Sequence, residues 1–194
     1  GKDYRETFYE YDENGNVIEV KVTDTYENTL SKVEMEYDAA GRVIEERNIL
    51  AEEGSEENKV RYEYDTRGRV TKVIYEDGES YSLYEYDESG NVSKESYAGK
   101  DGKTYEYSYR YNENNQLVSM INPAKVETVY TYTPVGMIET EEIRDEAGNR
   151  LAIISYSYDK NDNVKEVKEG EILKLKYDYD QNGRVIGEED ARGY

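Results

Sequence analysis

The chain has 194 residues, 23 of them Tyr, with one Phe and no Trp, Cys or His, and a formal net charge of −20. Lacking Cys and His, it cannot build a disulfide framework, a thiolate nucleophile, a Ser-His-Asp triad or a zinc site of nitrogen and sulfur donors. The charge excludes nucleic acid and anionic membrane surfaces as partners, because phosphate would be repelled, and no apolar run is long enough to span a bilayer.

Along the chain one unit returns eight times. It first reads Tyr9-Glu10-Tyr11-Asp12-Glu13-Asn14-Gly15-Asn16-Val17 and last reads Tyr177-Asp178-Tyr179-Asp180-Gln181-Asn182-Gly183-Arg184-Val185. The second Tyr of each unit falls at Tyr11, Tyr37, Tyr64, Tyr86, Tyr111, Tyr132, Tyr158 and Tyr179, at intervals between 21 and 27 residues. Such self-similarity means an array of one small structural unit. The drifting interval predicts strands joined by loops of variable length, since helical solenoids keep stricter register.

Each unit divides into the same parts. Its first strand shows alternation: Val33, Met35 and Tyr37 against Lys32, Glu34 and Glu36, then Val60, Tyr62 and Tyr64 against Lys59, Arg61 and Glu63. Near the end of the chain, Leu173, Leu175, Tyr177 and Tyr179 alternate with Lys174, Lys176 and Asp178. A period of two with Tyr and Val on one side predicts half-buried β-strands. Next comes a turn. Its Asp accepts backbone N–H bonds from two residues on, and Gly takes the positive φ that closes it, leaving a bulge as the chain turns back. Where Gly is missing the residue is Asn115 or Asp162, the types that best tolerate that conformation.

A return strand then begins at Val17-Ile18, Val43-Ile44, Val70, Val92, Leu117-Val118, Ile138, Val164 or Val185-Ile186. Its poorer alternation is what a bulge would cause. Variable connections lead to the next unit: Lys100 to Lys103 and Glu146 to Asn149 are tight, and residues from about Ile49 to Asn58 form the longest. The expected fold is all-β: an antiparallel meander of about eight hairpins spanning 1–194 as a single array. About sixteen strands would measure about 77 Å if flat, so a long twisted or curled, spiral or shell-like sheet is expected. Tyr covers apolar surface while its hydroxyl meets water, which suits a shallow core. The Tyr/Val face should be lined or covered by the curling sheet itself, or by further protein.

The residues offer little chemistry. The repeat carboxylates Asp12, Asp38, Asp65, Asp87, Asp159 and Asp180 read as turn formers rather than as a glycosidase pair, which needs two carboxyls set across a cleft. Asp12 to Asn16 and Asp159 to Asn163 resemble calcium loops only at their start and lack the closing Glu. Asn91-Val92-Ser93 matches a glycosylation sequon and reads as coincidence. No catalytic, cofactor or metal residues are assigned. The one candidate ligand surface is aromatic: Tyr105, Tyr107, Tyr109 and Tyr111 at alternate positions of one strand, with Tyr97 close in sequence. Such rows pack against neighbours or stack on sugar rings.

The unit Tyr62 to Val70 resembles the tyrosine–aspartate (YD) repeat of the rearrangement-hotspot (Rhs) family, found in bacterial polymorphic toxins, insecticidal toxin complexes, wall-associated proteins and the animal teneurins. The resemblance runs from about Thr7 to Glu189. The fifth and sixth units depart most, with Asn112 and Thr133 in place of Asp. It implies a spiralling sheet, which in large members forms a hollow shell around a toxic cargo. Gly1 looks like the scar of a removed tag, so an export signal would not be visible. The expected function is a non-catalytic structural or interaction module of a bacterial cell-surface or secreted protein, offering an extended sheet to a protein partner. Carbohydrate binding through the Tyr face and a fragment of a toxin-encapsulating shell are the alternatives.

Overall fold

A computed structural model describes residues 4–50 and 58–191. The connection expected over Ile49 to Asn58 therefore lies largely outside the described residues. Sixteen strands follow one another: β1 (Glu6–Tyr11), β2 (Val17–Thr23), β3 (Thr29–Tyr37), β4 (Val43–Leu50), β5 (Asn58–Tyr64), β6 (Val70–Ile74), β7 (Tyr81–Tyr86) and β8 (Val92–Ala98). Then come β9 (Thr104–Tyr111), β10 (Leu117–Ile121), β11 (Glu127–Tyr132), β12 (Ile138–Arg144), β13 (Arg150–Tyr158), β14 (Val164–Glu169), β15 (Ile172–Tyr179) and β16 (Val185–Asp190). They form one sheet in sequence order, with β1 and β16 as its outer strands. The chain divides into two compact units, Gly1–Glu85 with Glu95–Tyr105, and Tyr86–Lys94 with Glu106–Tyr194. No helix among the described residues is long and apolar enough to cross a membrane.

The hairpin turns take the expected form. In the first, Gly15 N donates to Asp12 O at 3.1 Å and Asp12 N to Asn16 O at 2.9 Å. Asp12 Oδ1 meanwhile accepts from Asn14 N and Asn16 N at 2.9 and 2.8 Å. Gly15 sits at φ 87°, and Asn115 and Asp162 hold φ 58° and 65° at the equivalent positions. The bulge is also present. Glu10 faces Glu19 but Tyr11 faces Val17, leaving Ile18 extra. Ile44 and Thr71 are extra in the same way, as are Lys165 and Ile186.

The connections between hairpins are more regular than the sequence implies. Asp24 to Asn28, Asn122 to Val126 and Asp145 to Asn149 repeat the same pair of backbone bonds. Two of them place Glu27 and Lys125 at φ 66° and 61°. Neither residue type marks a left-handed position, so the composition of these segments conceals the turn.

In both units the second Tyr of a hairpin ties it to its predecessor at several positions. Tyr37 Oη donates to Val17 O at 2.7 Å and Tyr64 Oη to Val43 O at 2.6 Å. In the second unit Tyr132 reaches Leu117 O and Tyr158 reaches Ile138 O, both at 2.6 Å, and Tyr179 reaches Val164 O at 2.8 Å. Every acceptor is the first residue of a return strand, beside the bulge. A bulge disrupts the ladder locally, and a carbonyl left without a donor is costly, so the hydroxyl supplies what the irregularity removes. The turns interlock as well. Arg42 clasps its own Asp38 at 2.6 Å, lies 4.6 Å over the Tyr64 ring and reaches Asp65 O at 3.4 Å.

The two faces differ as the alternation predicts. Val20 pairs with Val33 on the Tyr side, whereas the opposite side carries an ionic ladder. Lys32 bridges Glu19 and Glu34, both at 2.7 Å, and Lys59 meets Glu45 at 2.7 Å. No large side chain among the described residues is fully buried, and Ala98 is the one apolar residue in the buried class. The most enclosed positions are hydroxyls, Thr23, Ser80, Ser82 and Ser119. Cohesion thus runs in the plane of the sheet, through hydrogen bonds and half-buried neighbours, not through a dry core.

Tyr64→Phe keeps the ring beneath Arg42 and removes only the hydroxyl. It is expected to cost about 1–2 kcal/mol, read as a lower urea midpoint with unchanged far-UV circular dichroism. Lys125→Gly relieves the left-handed strain and is expected to raise that midpoint by the equivalent of about 0.5–1 kcal/mol.

Candidate functional site

The five Tyr singled out above lie on β8 and β9 and behave differently within each unit. In the first unit Tyr97 and Tyr105 stack at 6.3 Å between ring centroids, and Tyr75 leans on Tyr97 at 6.1 Å. Tyr97 and Tyr105 are 39% and 45% exposed. They line an open cup of about 420 Å³ with Asp77, Ser80, Gly99, Lys100 and Asp101. The polar floor is well ordered: Ser80 Oγ donates to Asp77 Oδ2 at 2.6 Å and accepts from Lys100 N at 3.1 Å. Gly99 leaves room for this arrangement, since a Cβ there would sit 3.0 Å from Asp101 Oδ1 and 3.6 Å from the Tyr97 ring.

In the second unit Tyr107 and Tyr109 lie nearly parallel, 6.4 Å apart with 10° between planes. Tyr107 is exposed and Tyr109 half-buried. Tyr111 is half-buried, and its phenol is pushed up by burial and by the nearby negative charge of Asp87. The same unit holds a wider hollow of about 620 Å³ lined by Asn112, Gln116, Tyr130 and Pro134 among others. Its amides are already engaged: Asn112 Nδ2 donates to Gln116 Oε1 at 2.9 Å, and Gln116 Nε2 to Gly136 O at 3.2 Å.

The sequence pointed to Tyr97 and Tyr105 but not to Asp77 and Ser80, which help line the cup, nor to Tyr75, which leans on the Tyr97 ring. The available signal was the segment Tyr75 to Ser80, where Gly78 N donates to Tyr75 O and Tyr75 N to Ser80 O. That turn is one residue longer than the hairpin form.

Carboxylates elsewhere serve structure. Asp12, Asp87 and Asp159 are held below the ordinary carboxylate value first by the side-chain amides of Asn16, Asn91 and Asn163. Asp38, Asp65 and Asp180 are lowered first by the backbone N–H of Arg42, Arg69 and Arg184. In the two segments that resemble calcium loops, both oxygens of Asp12 and of Asp159 accept hydrogen bonds, so neither carboxylate is aimed at a cation. The sequon nitrogen, Asn91 Nδ2, is likewise committed, to Asp87 Oδ2 at 3.1 Å and Asn115 Oδ1 at 3.0 Å. Among the described residues the most strongly perturbed phenol is Tyr156, pushed up to about 12 by burial and then by its 3.0 Å hydrogen bond to Glu141.

The hairpin, its bulge and the Tyr staple recur in both units. A family model described as the teneurin YD-shell matches residues 2–132, more than half of the chain. The chain belongs to the teneurin YD-shell family. Solved structures similar to this YD-shell chain include a TcdB2-TccC3-Cdc42 assembly and TcdB2-TccC3, each at 13% identity and TM-score 0.72. The Tc holotoxin pore of Photorhabdus luminescens matches at 14% identity with the same TM-score. Each match covers 95% of this chain but only 12% of the other, so the YD-shell chain spans about an eighth of those proteins and shares their fold. No curated protein sequence matches it.

Lowered folded-state values place the turn carboxylates' contribution to stability above the unfolded value, near 3.9. That contribution disappears as pH falls through the folded values. The thermal midpoint is expected to drop progressively below about pH 4, and Asp65→Asn should flatten this acid limb relative to wild type.

Proposed function

We propose that this YD-shell chain is a non-catalytic structural and interaction module, a section of wall from a cell-surface or secreted bacterial protein that offers its sheet to a protein partner. The observation that carries the reading is the repeated staple. One hydroxyl-to-bulge bond recurs in both units, and the turn carboxylates are consumed by their own turns. Such an array invests its polar groups in holding a surface together. The solved relatives are described as assemblies of TcdB2 with TccC3, and in one case with Cdc42, which supports a protein as the partner class. Those same relatives support placing the chain outside the cell. Enclosing a toxic cargo, as a fragment of a larger shell, is a narrower version of this reading.

A second reading is favoured by one feature. The cup of Tyr97 and Tyr105 joins exposed ring faces to Asp77, Ser80 and Asp101, a combination suited to a sugar ring, which presents apolar C–H groups on one side and hydroxyls around its edge. Tyr107, Tyr109 and Tyr111, in the second unit, are a separate and lesser candidate for the same kind of contact.

Two measurements separate the readings. The module reading expects the isolated chain to give a β-rich circular dichroism spectrum and a cooperative melt; a disordered chain would defeat it. The sugar reading expects a glycan-array signal lost in Tyr97→Ala and Tyr105→Ala, and silence across a broad array would defeat that reading alone.

A further inference from the structure

Within the first unit, Tyr faces are capped by cations of the chain itself. At the second hairpin the pattern is complete. Asp38 Oδ1 accepts from Ala40 N and Arg42 N at 2.9 and 3.0 Å, and its Oδ2 accepts from Arg42 Nε at 2.7 Å. The guanidinium held in this way lies 4.6 Å over the Tyr64 ring. Lys72 likewise sets its ammonium 4.9 Å over the Tyr81 ring. A cation over a Tyr face is attracted by the ring's quadrupole, and a guanidinium also stacks on it.

The cup of Tyr97 and Tyr105 is assembled from the same parts, save one. Asp77 Oδ1 accepts from Glu79 N and Ser80 N at 2.9 and 2.6 Å, as Asp38 Oδ1 does from its own turn. Asp77 Oδ2 accepts from the short Ser80 hydroxyl at 2.6 Å, and a carboxylate oxygen has two acceptor sites. Both rings are exposed, and among the described residues no cation lies over either. The platform is fixed in advance. Tyr75 backs the Tyr97 ring at 6.1 Å and is itself tied to Ser82 Oγ at 3.0 Å.

The local charge favours a cation. The two connections that form the cup carry Glu76, Asp77, Glu79 and Asp101 against Lys100 and Lys103. Lys103 is paired with Asp101 at 2.9 Å, and Lys100 is the one basic residue in the lining.

We propose that the cup takes the guanidinium of an arginine presented by a partner protein, stacked on Tyr97 and Tyr105 and hydrogen-bonded to Asp77 Oδ2. The partner thereby supplies what Arg42 supplies to Asp38 and Tyr64 inside the chain. The inference rests on the interaction-module reading and names the partner's anchoring residue. It competes with the sugar reading for the same cup. A sugar ring asks for several acceptors facing its hydroxyls, whereas Asp101 is engaged by Lys103 and Asp77 has one site left. A guanidinium stacked on Tyr is anchored by one.

Titration of the nitrogen-15-labelled full chain with acetyl-Gly-Gly-Arg-Gly-Gly-amide, followed by amide NMR shifts, tests the site. A collapsed spectrum before titration would defeat the module reading and this inference with it; with a dispersed spectrum the titration speaks for the cup alone. Saturating shifts centred on Ser80, Gly99 and Lys100 are expected. The lysine counterpart of the peptide should bind at least about threefold more weakly, and the uncharged citrulline counterpart should leave the spectrum unchanged. Tyr105→Leu keeps apolar bulk but loses the ring, and is expected to weaken the arginine peptide about fivefold. Lys100→Gln removes the like charge and is expected to tighten it about twofold. No shift at the cup, shifts spread evenly over the acidic surface, equal binding of the lysine peptide, or indifference to Tyr105→Leu would each overturn the proposal. A glycan signal that depends on Tyr97 and Tyr105, with silence toward the arginine peptide, would assign the cup to a sugar instead.

Discussion

Everything distinctive in this sheet depends on a tyrosine hydroxyl meeting a carbonyl at a bulge. A turn closed by a left-handed Gly, followed by one extra residue, disturbs the ladder at the start of each return strand. Left alone, that irregularity would weaken every hairpin. The second Tyr of the next hairpin turns it into a connector, because its hydroxyl sits one ring-length above the strand and is a donor that the backbone does not supply. The bond is short in both units, 2.6 to 2.8 Å, and the irregularity thereby becomes the point where neighbours are joined.

This arrangement explains how a chain so polar stays folded without a dry core. With no fully buried large side chain among the described residues, burial of apolar area contributes less per residue than in an ordinary domain. In-plane terms take its place: staples, Asp clasps within turns, and the charge ladder of Glu19, Lys32 and Glu34. Tyr is suited to that regime, since it packs by its ring and satisfies itself by its hydroxyl. Phe could do only the first, and the chain has one.

The same economy shapes function. In a sheet built from a repeated bond, the departures from repetition become the informative places. The cup of Ser80, Tyr97 and Tyr105 is one: it sits where a connection grows by a residue, and its aromatic rings are not used as staples.

Short-range chemistry was legible in the sequence. The period of two in Val33, Met35 and Tyr37, the turn from Asp12 to Gly15, the left-handed Asn115 and Asp162, and the bulge that follows all depend on residues within about ten positions of one another. Hence the strand order and the polarity of the two faces could be derived before any coordinates. The tertiary structure alone decided which carbonyl each Tyr reaches, because Val17 and Tyr37 meet through a register set across a connection of variable length. It also decided that Glu27 and Lys125 adopt positive φ, where backbone pairing on either side overrides residue preference. And it decided that Tyr97 of β8 meets Tyr75, Asp77 and Ser80 of the connection between β6 and β7, a proximity that their spacing in sequence does not show until the strands between them are paired.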